Sequence, residues 1–127
     1  TMNTPQFTHL GKKSNTPTKQ LDTFPTPNNV EIVKFESDEL TSFCPVTHQP
    51  DFNRVIIEFS PDAYCIESKS LKLYLWSFRE EAKFAEALAG EIADDIFNAI
   101  QPHWCTITLI QNIRGGMQLS VVAKREK

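Results

Sequence analysis

The sequence predicts an α+β fold: an antiparallel sheet with two helices on one face, in the order ββααββ. Three observations carry this. Apolar, β-branched runs at residues 30–35 (Val30, Ile32, Val33, Phe35) and 53–60 have the texture of strands. Ala85, Leu88, Ala89, Ile92, Ile96 and Ile100 recur at helical spacing, with Glu91, Asp94 and Asp95 off the stripe. Gly115 and Gly116 separate two further strand-like runs, 104–112 and 117–124, and adjacent glycines between such runs signal a hairpin.

Residues 1–29 are polar and punctuated by Pro5, Gly11, Pro17, Pro25 and Pro27, so they are expected to form an extended N-terminal arm. Residues 30–127 are expected to form a single domain. Between the first two strands, 41–52 contains Pro45 and Pro50 and is expected to be largely irregular. Ser60-Pro61-Asp62 breaks the second strand. Residues 70–76 are ambiguous by period: Leu71, Leu73 and Leu75 alternate, while Leu71, Tyr74, Leu75 and Phe78 share a helical face. Length and the charge-rich stretch that follows favour helix. The second helix runs from Lys83 until Pro102 stops it. One helical layer on a small sheet leaves the other face and both edges uncovered. Copies joined edge to edge would cover them, which makes a homo-oligomer the physical expectation.

The net charge of −3 speaks against binding nucleic acid through general phosphate attraction. No apolar run approaches a membrane span, and the N-terminus carries no apolar signal region. The three cysteines, an odd and sparse set, do not make a disulfide framework and fit a reducing compartment. A cytoplasmic protein is expected.

Several residues are candidates for chemistry. Cys44 lies in the Pro-bounded stretch TSFCPVTHQPDF, with His48 and Asp51 after it. A loop thiol with a carboxyl group nearby can attack an electrophilic carbon while the acid moves the proton. Equally, Cys44 can be a small apolar residue and Asp51 a turn residue. Cys44 and His48 also have metal-ligand chemistry, but no paired CxxC accompanies them and no metal site is expected. In Glu67-Ser68-Lys69-Ser70-Leu71-Lys72, the two lysines share a helical face and, with Arg114, could hold a phosphate-bearing cofactor; alternatively they are solvated lysines. Ser68 or Ser70 is placed to cap the helix. Glu86, beside the buried stripe, is a flank residue or an acceptor for a guanidine-like ligand edge. No GxGxxG or Walker loop is present.

The order of these segments, CPVTHQPDF, IESKSLKLYLWSFR, FAE and RGG, resembles the 7-cyano-7-deazaguanine reductases of queuosine biosynthesis, of the unimodular type. The likeness runs from about Thr23 to the C-terminus. It implies a tunnelling fold assembled as stacked pentameric rings with sites between subunits, and it favours helix for SLKLYLW. It implies reduction of the nitrile of 7-cyano-7-deazaguanine to the aminomethyl product through a cysteine thioimide, with NADPH as cofactor. By motif position Cys44 is the nucleophile and Asp51 the proton donor. Ile66, Glu67, Ser68, Ala85 and Glu86 meet the base, and Lys69, Lys72 and Arg114 meet the NADPH phosphate.

The chain departs from the pattern at three places. His48 replaces a glycine after CPxT, Ala85 replaces the histidine of a Phe-His-Glu motif, and Leu88 replaces a cysteine that would pair with Cys44. No disulfide to Cys44 is therefore expected by that route. Three alternatives stand beside the reductase. One is an amidinotransferase-type enzyme acting on the same nitrile without NADPH, whose relatives tend to lose the ESKS and RGG elements kept here. The second is zinc-dependent GTP cyclohydrolase chemistry on the same fold. The third is a base-binding protein without turnover.

Overall fold

The computed structural model describes residues 16–127. Along them run β1 (Thr23–Pro25), β2 (Val33–Phe43), β3 (Pro50–Ser60), β4 (Tyr64–Ile66), α1 (Ser68–Trp76), α2 (Ala85–Ile100), β5 (Trp104–Arg114) and β6 (Met117–Glu126). Strands β2, β3, β5 and β6 form one antiparallel sheet in that spatial order, leaving β2 and β6 as its edges. Both helices fall between β3 and β5 in the chain. The α+β class and the ββααββ order of the main elements are as the sequence predicts.

The core forms where the inward face of β3 (Val55, Ile57, Phe59) and β5 (Cys105, Ile107, Leu109) meets the helices. All six stripe residues of α2 are buried there. Each large apolar side chain removed from water contributes roughly 1.5–3 kcal/mol. Helix α2 stops where Gln101 enters the left-handed region (φ 46°) and donates its N–H to Phe97 O at 2.8 Å, one residue ahead of Pro102. The turn between β5 and β6 is the glycine pair, with φ of 57° and 76°, so both residues take the mirror-image turn that suits a two-residue hairpin.

Five expectations need correction. The stretch 41–52 is not largely irregular: β2 runs through Phe43 and β3 begins at Pro50, leaving only 44–49 as loop. Proline is tolerated there because it is the first residue of its strand, paired with Phe43. The first strand begins at Val33 rather than Val30 and continues through polar residues, with a register shift between Ser37 and Leu40 that absorbs the break in alternation. The α1 cap is neither Ser68 nor Ser70 but Glu67, and the charge-rich stretch after Trp76 is turn rather than helix. Thr23–Pro25, assigned to the arm, pairs with β4 inside the chain. Residues 1–15 of that arm lie outside the described residues.

Candidate active site

The loop 44–49 is a closed turn. Cys44 N–H donates to Gln49 O and His48 N–H donates to Cys44 O, both at 2.9 Å. His48 takes φ 59°, a left-handed position where glycine is strain-free and histidine is tolerated better than most residues. The closure folds Thr47 back toward the thiol. The Thr47 hydroxyl, then the backbone N–H groups of Thr47 and Val46, stabilise the thiolate of Cys44; burial opposes them and Arg114 adds a smaller contribution. Together they lower the Cys44 pKa to about 7.

Asp51 follows on β3. Alternation puts Asp51, Asn53, Val55, Ile57 and Phe59 on the same buried face, so the apolar core grades into polar side chains near the loop. The Asp51 side chain is only 4% exposed, and Arg114 Nη1 lies 2.7 Å from its Oδ1. Arg114 Nη2 lies 3.5 Å from both Gln49 Oε1 and Pro50 O. The hairpin turn after β5 thus delivers a cation to the Cys44 loop.

Phe43 ties this loop to the start of α2: its N–H donates to Glu81 O at 2.9 Å and its carbonyl accepts from Lys83 N–H at 3.1 Å. That brings the loop toward Phe84-Ala85-Glu86. Ala85 is buried, whereas Phe84 and Glu86 are exposed.

A second group gathers at α1. Ile66 and Glu67 are buried, and Glu67 accepts the N–H groups of Lys69 and Ser70, each at 2.8 Å. Ser68 and Lys72 line a cleft of about 630 Å³ against residues 35–39 of β2. Three carboxylates also line it: Glu36 and Asp38, paired with Arg54 at 2.7 and 2.9 Å, and Glu39. Two lysines and a hydroxyl at a helix start are a donor set that fits a phosphate. Arg114 stands apart from them, at the far end of β2. Within one chain, then, Cys44, Asp51 and Arg114 meet; Ile66, Glu67, Ser68, Lys69 and Lys72 form a separate group; Ala85 and Glu86 lie nearer the first.

Sequence reasoning missed Thr47, although its place three residues after Cys44 in a Pro-bounded loop was the available signal. It also missed Ser42 and Asn53, whose Oγ and Nδ2 are buried beside Asp51 without a partner. Nothing in their residue types marks them. All three cysteines are free thiols. Among the described residues no group of three or more His, Cys, Asp or Glu side chains is arranged to hold a metal, and no helix is long and apolar enough to cross a membrane.

The family model described as QueF-like protein matches residues 50–127. The chain belongs to the QueF-like family. A relative from Syntrophus aciditrophicus (strain SB), named NADPH-dependent 7-cyano-7-deazaguanine reductase, is 43% identical over 96% of this chain and 88% of its own length. One of the same name from Alkalilimnicola ehrlichii is 41% identical over 90% of each chain. A solved structure, the archaeosine synthase QueF-Like in the apo form, superposes with a TM-score of 0.71 over 78% of this chain and 94% of that one, at 22% identity. That likeness shows the QueF-like fold alone.

Proposed function

We infer that this QueF-like protein is an NADPH-dependent reductase that converts the nitrile of 7-cyano-7-deazaguanine to the aminomethyl product in queuosine biosynthesis. The observation that carries it is identity of 41–44% to reductases of that name over most of both chains. The geometry supports it: a thiol of pKa about 7 sits one closed turn from a buried carboxyl group. The amidinotransferase reading is not favoured, since the archaeosine synthase is only 22% identical.

Cys44 is the nucleophile of this reading. Its lowered pKa eases transfer of the thiol proton to Asp51, and the sulfur attacks the nitrile carbon to give a thioimide. Asp51 moves the proton to the nitrogen, where the burial of its side chain keeps competing water away. Lys69, Lys72 and Arg114 are the groups assigned to NADPH phosphate, and NADPH, when bound, supplies the hydrides. Ile66, Glu67 and Ser68 at the start of α1, with Ala85 and Glu86 at the start of α2, are assigned to the deazapurine; Glu86 has acceptor oxygens for its amino and imino donors. Because the α1 group and the Cys44 group are apart in one chain, their joint use calls for a second subunit. A homo-oligomer with sites between subunits, in stacked pentameric rings, is part of the proposal, as is a cytoplasmic location that keeps Cys44 reduced.

The test is to follow NADPH oxidation and the amine product with 7-cyano-7-deazaguanine as substrate. Turnover supports the reductase and shows that Ala85 is compatible with catalysis. No oxidation, with a Cys44 adduct still present by intact mass, would overturn it in favour of another fate for the nitrile.

A further inference from the structure

Arg114 is the last residue of β5, yet its side chain serves another hairpin. Besides the 2.7 Å contact with Asp51, it reaches Gln49 Oε1 and Pro50 O, which places its charge where it adds a small contribution to lowering the Cys44 pKa. The contact with Asp51 Oδ1 lacks the alignment of a hydrogen bond, so charge holds it. The neighbouring Ser42 Oγ and Asn53 Nδ2 are likewise buried and unpartnered. A carboxylate removed from water in such a place requires a counter-charge. Arg114 is the one cation within ion-pair distance of it among the described residues. Other charged groups near the loop are engaged or point outward. Lys83 pairs with Glu91 at 2.8 Å and with Glu81 at 3.6 Å, and the His48 side chain is exposed.

We propose that Arg114 is a positioning residue of the thiol chemistry itself, holding the Asp51 carboxylate and the Cys44 loop in reacting register before any nicotinamide is bound. This rests on Cys44 and Asp51 being the reacting pair, and it gives Arg114 a duty distinct from meeting a cofactor phosphate. In the step concerned, the thiol proton passes to the Asp51 carboxylate and sulfur bonds to the nitrile carbon. One C–N π bond opens, and the nitrogen takes the proton from Asp51. The products are a neutral thioimide and the carboxylate restored, with no oxidant or reductant consumed. Arg114 keeps the carboxylate aimed and stabilises the sulfur anion.

The experiment omits NADPH. Wild type, Arg114→Gln and Arg114→Lys are mixed with 7-cyano-7-deazaguanine, and adduct formation is timed by intact mass. In parallel, Cys44 alkylation by iodoacetamide is followed without nitrile between about pH 5 and pH 9. Arg114→Gln is expected to form the adduct at least about a hundredfold more slowly, with its alkylation midpoint displaced upward. Arg114→Lys should recover part of both, because it restores the charge without the planar fork. An adduct formed by Arg114→Gln at the wild-type rate, with only the Michaelis constant for NADPH raised, overturns the proposal. So does an unmoved alkylation midpoint with no recovery in Arg114→Lys, which would mark a merely structural residue. A wild-type protein that gives no adduct at all is instead a failure of the reductase reading. The alkylation midpoints then decide on Arg114 by themselves.

Discussion

Glu67 and Ser70 bond each other in both directions. Glu67 Oε1 accepts the Ser70 backbone N–H at 2.8 Å, and Ser70 Oγ donates to the Glu67 carbonyl at 2.8 Å. Ser70 Oγ also accepts from the Asp22 N–H at 2.9 Å, while Glu67 N–H donates to Asp22 O at 2.9 Å. This knot fixes the start of α1 and holds the segment before β1 against it. It also means that the glutamate assigned to the substrate base has one acceptor site on each oxygen already committed to the helix.

Removing either side of the knot should cost stability. Glu67→Ala is expected to lose about 1–2 kcal/mol, the usual worth of an N-cap. Ser70→Ala should lose about 1–3 kcal/mol because it strands the buried Asp22 N–H. Urea denaturation measures both. The double variant should lose less than the sum, since the two side chains serve one network.

The Cys44 thiol should titrate near pH 7, with iodoacetamide reacting there faster than at Cys105, whose burial pushes its thiol up. The lowered pKa also has a sign in stability. Between about 7 and the ordinary value of 9.0, the unfolded chain holds a proton on this thiol that the folded chain has released. Stability therefore rises with pH across that window and is lost as pH falls through about 7. Thermal melts of wild type and Cys44→Ser across this range check it: the serine variant should lack that contribution to the slope.

How much of this was legible in the sequence depended on the kind of signal. The α2 stripe was plain, because a helix buried along one side writes its period into the chain. The Gly115–Gly116 turn was plain because only a few residue types accept positive φ at two successive positions. The ambiguous SLKLYLW is a helix whose Leu71, Leu73, Tyr74 and Leu75 are all buried, so neither period could show. The β1–β4 pairing was hidden because it joins two three-residue strands distant in the chain. In the candidate site, Cys44 and Asp51 were singled out from their loop and motif. Arg114's contact with them was not, because a residue in a hairpin turn carries no record of which other turn it reaches.

His48 offers a direct test of the closed loop. Its side chain is exposed but its φ is 59°, so backbone conformation rather than contacts decides what the position tolerates. His48→Val should lose up to about 1 kcal/mol, because a β-branched residue tolerates the left-handed region less well than the histidine that already bears part of that cost. His48→Gly should be nearly neutral, because relief of strain is offset by the freer unfolded chain. Thermal denaturation midpoints rank the three. A loop loosened in the valine variant should also raise the Cys44 alkylation midpoint, since the Thr47 groups that stabilise the thiolate are held by the same turn.

Tyr74 anchors the two helices to each other. Its ring is fully buried, packed edge-on against Phe78 at 5.2 Å, and its hydroxyl donates to Asp95 Oδ2 at 2.6 Å. Burial pushes the Asp95 carboxyl above its ordinary value, and the Tyr74 hydroxyl partly opposes this. A raised folded pKa means that the folded state holds the proton more tightly. The stability Asp95 contributes is thus fully present below the unfolded value and falls as pH rises through the folded one. Tyr74→Phe removes the opposing hydrogen bond and moves the folded value higher. The variant should lose about 1–2 kcal/mol at neutral pH and less in acid, where Asp95 is protonated in both proteins. Urea midpoints at neutral and acid pH read that difference directly. A loss independent of pH would place the role of Tyr74 in ring packing rather than in its bond to Asp95.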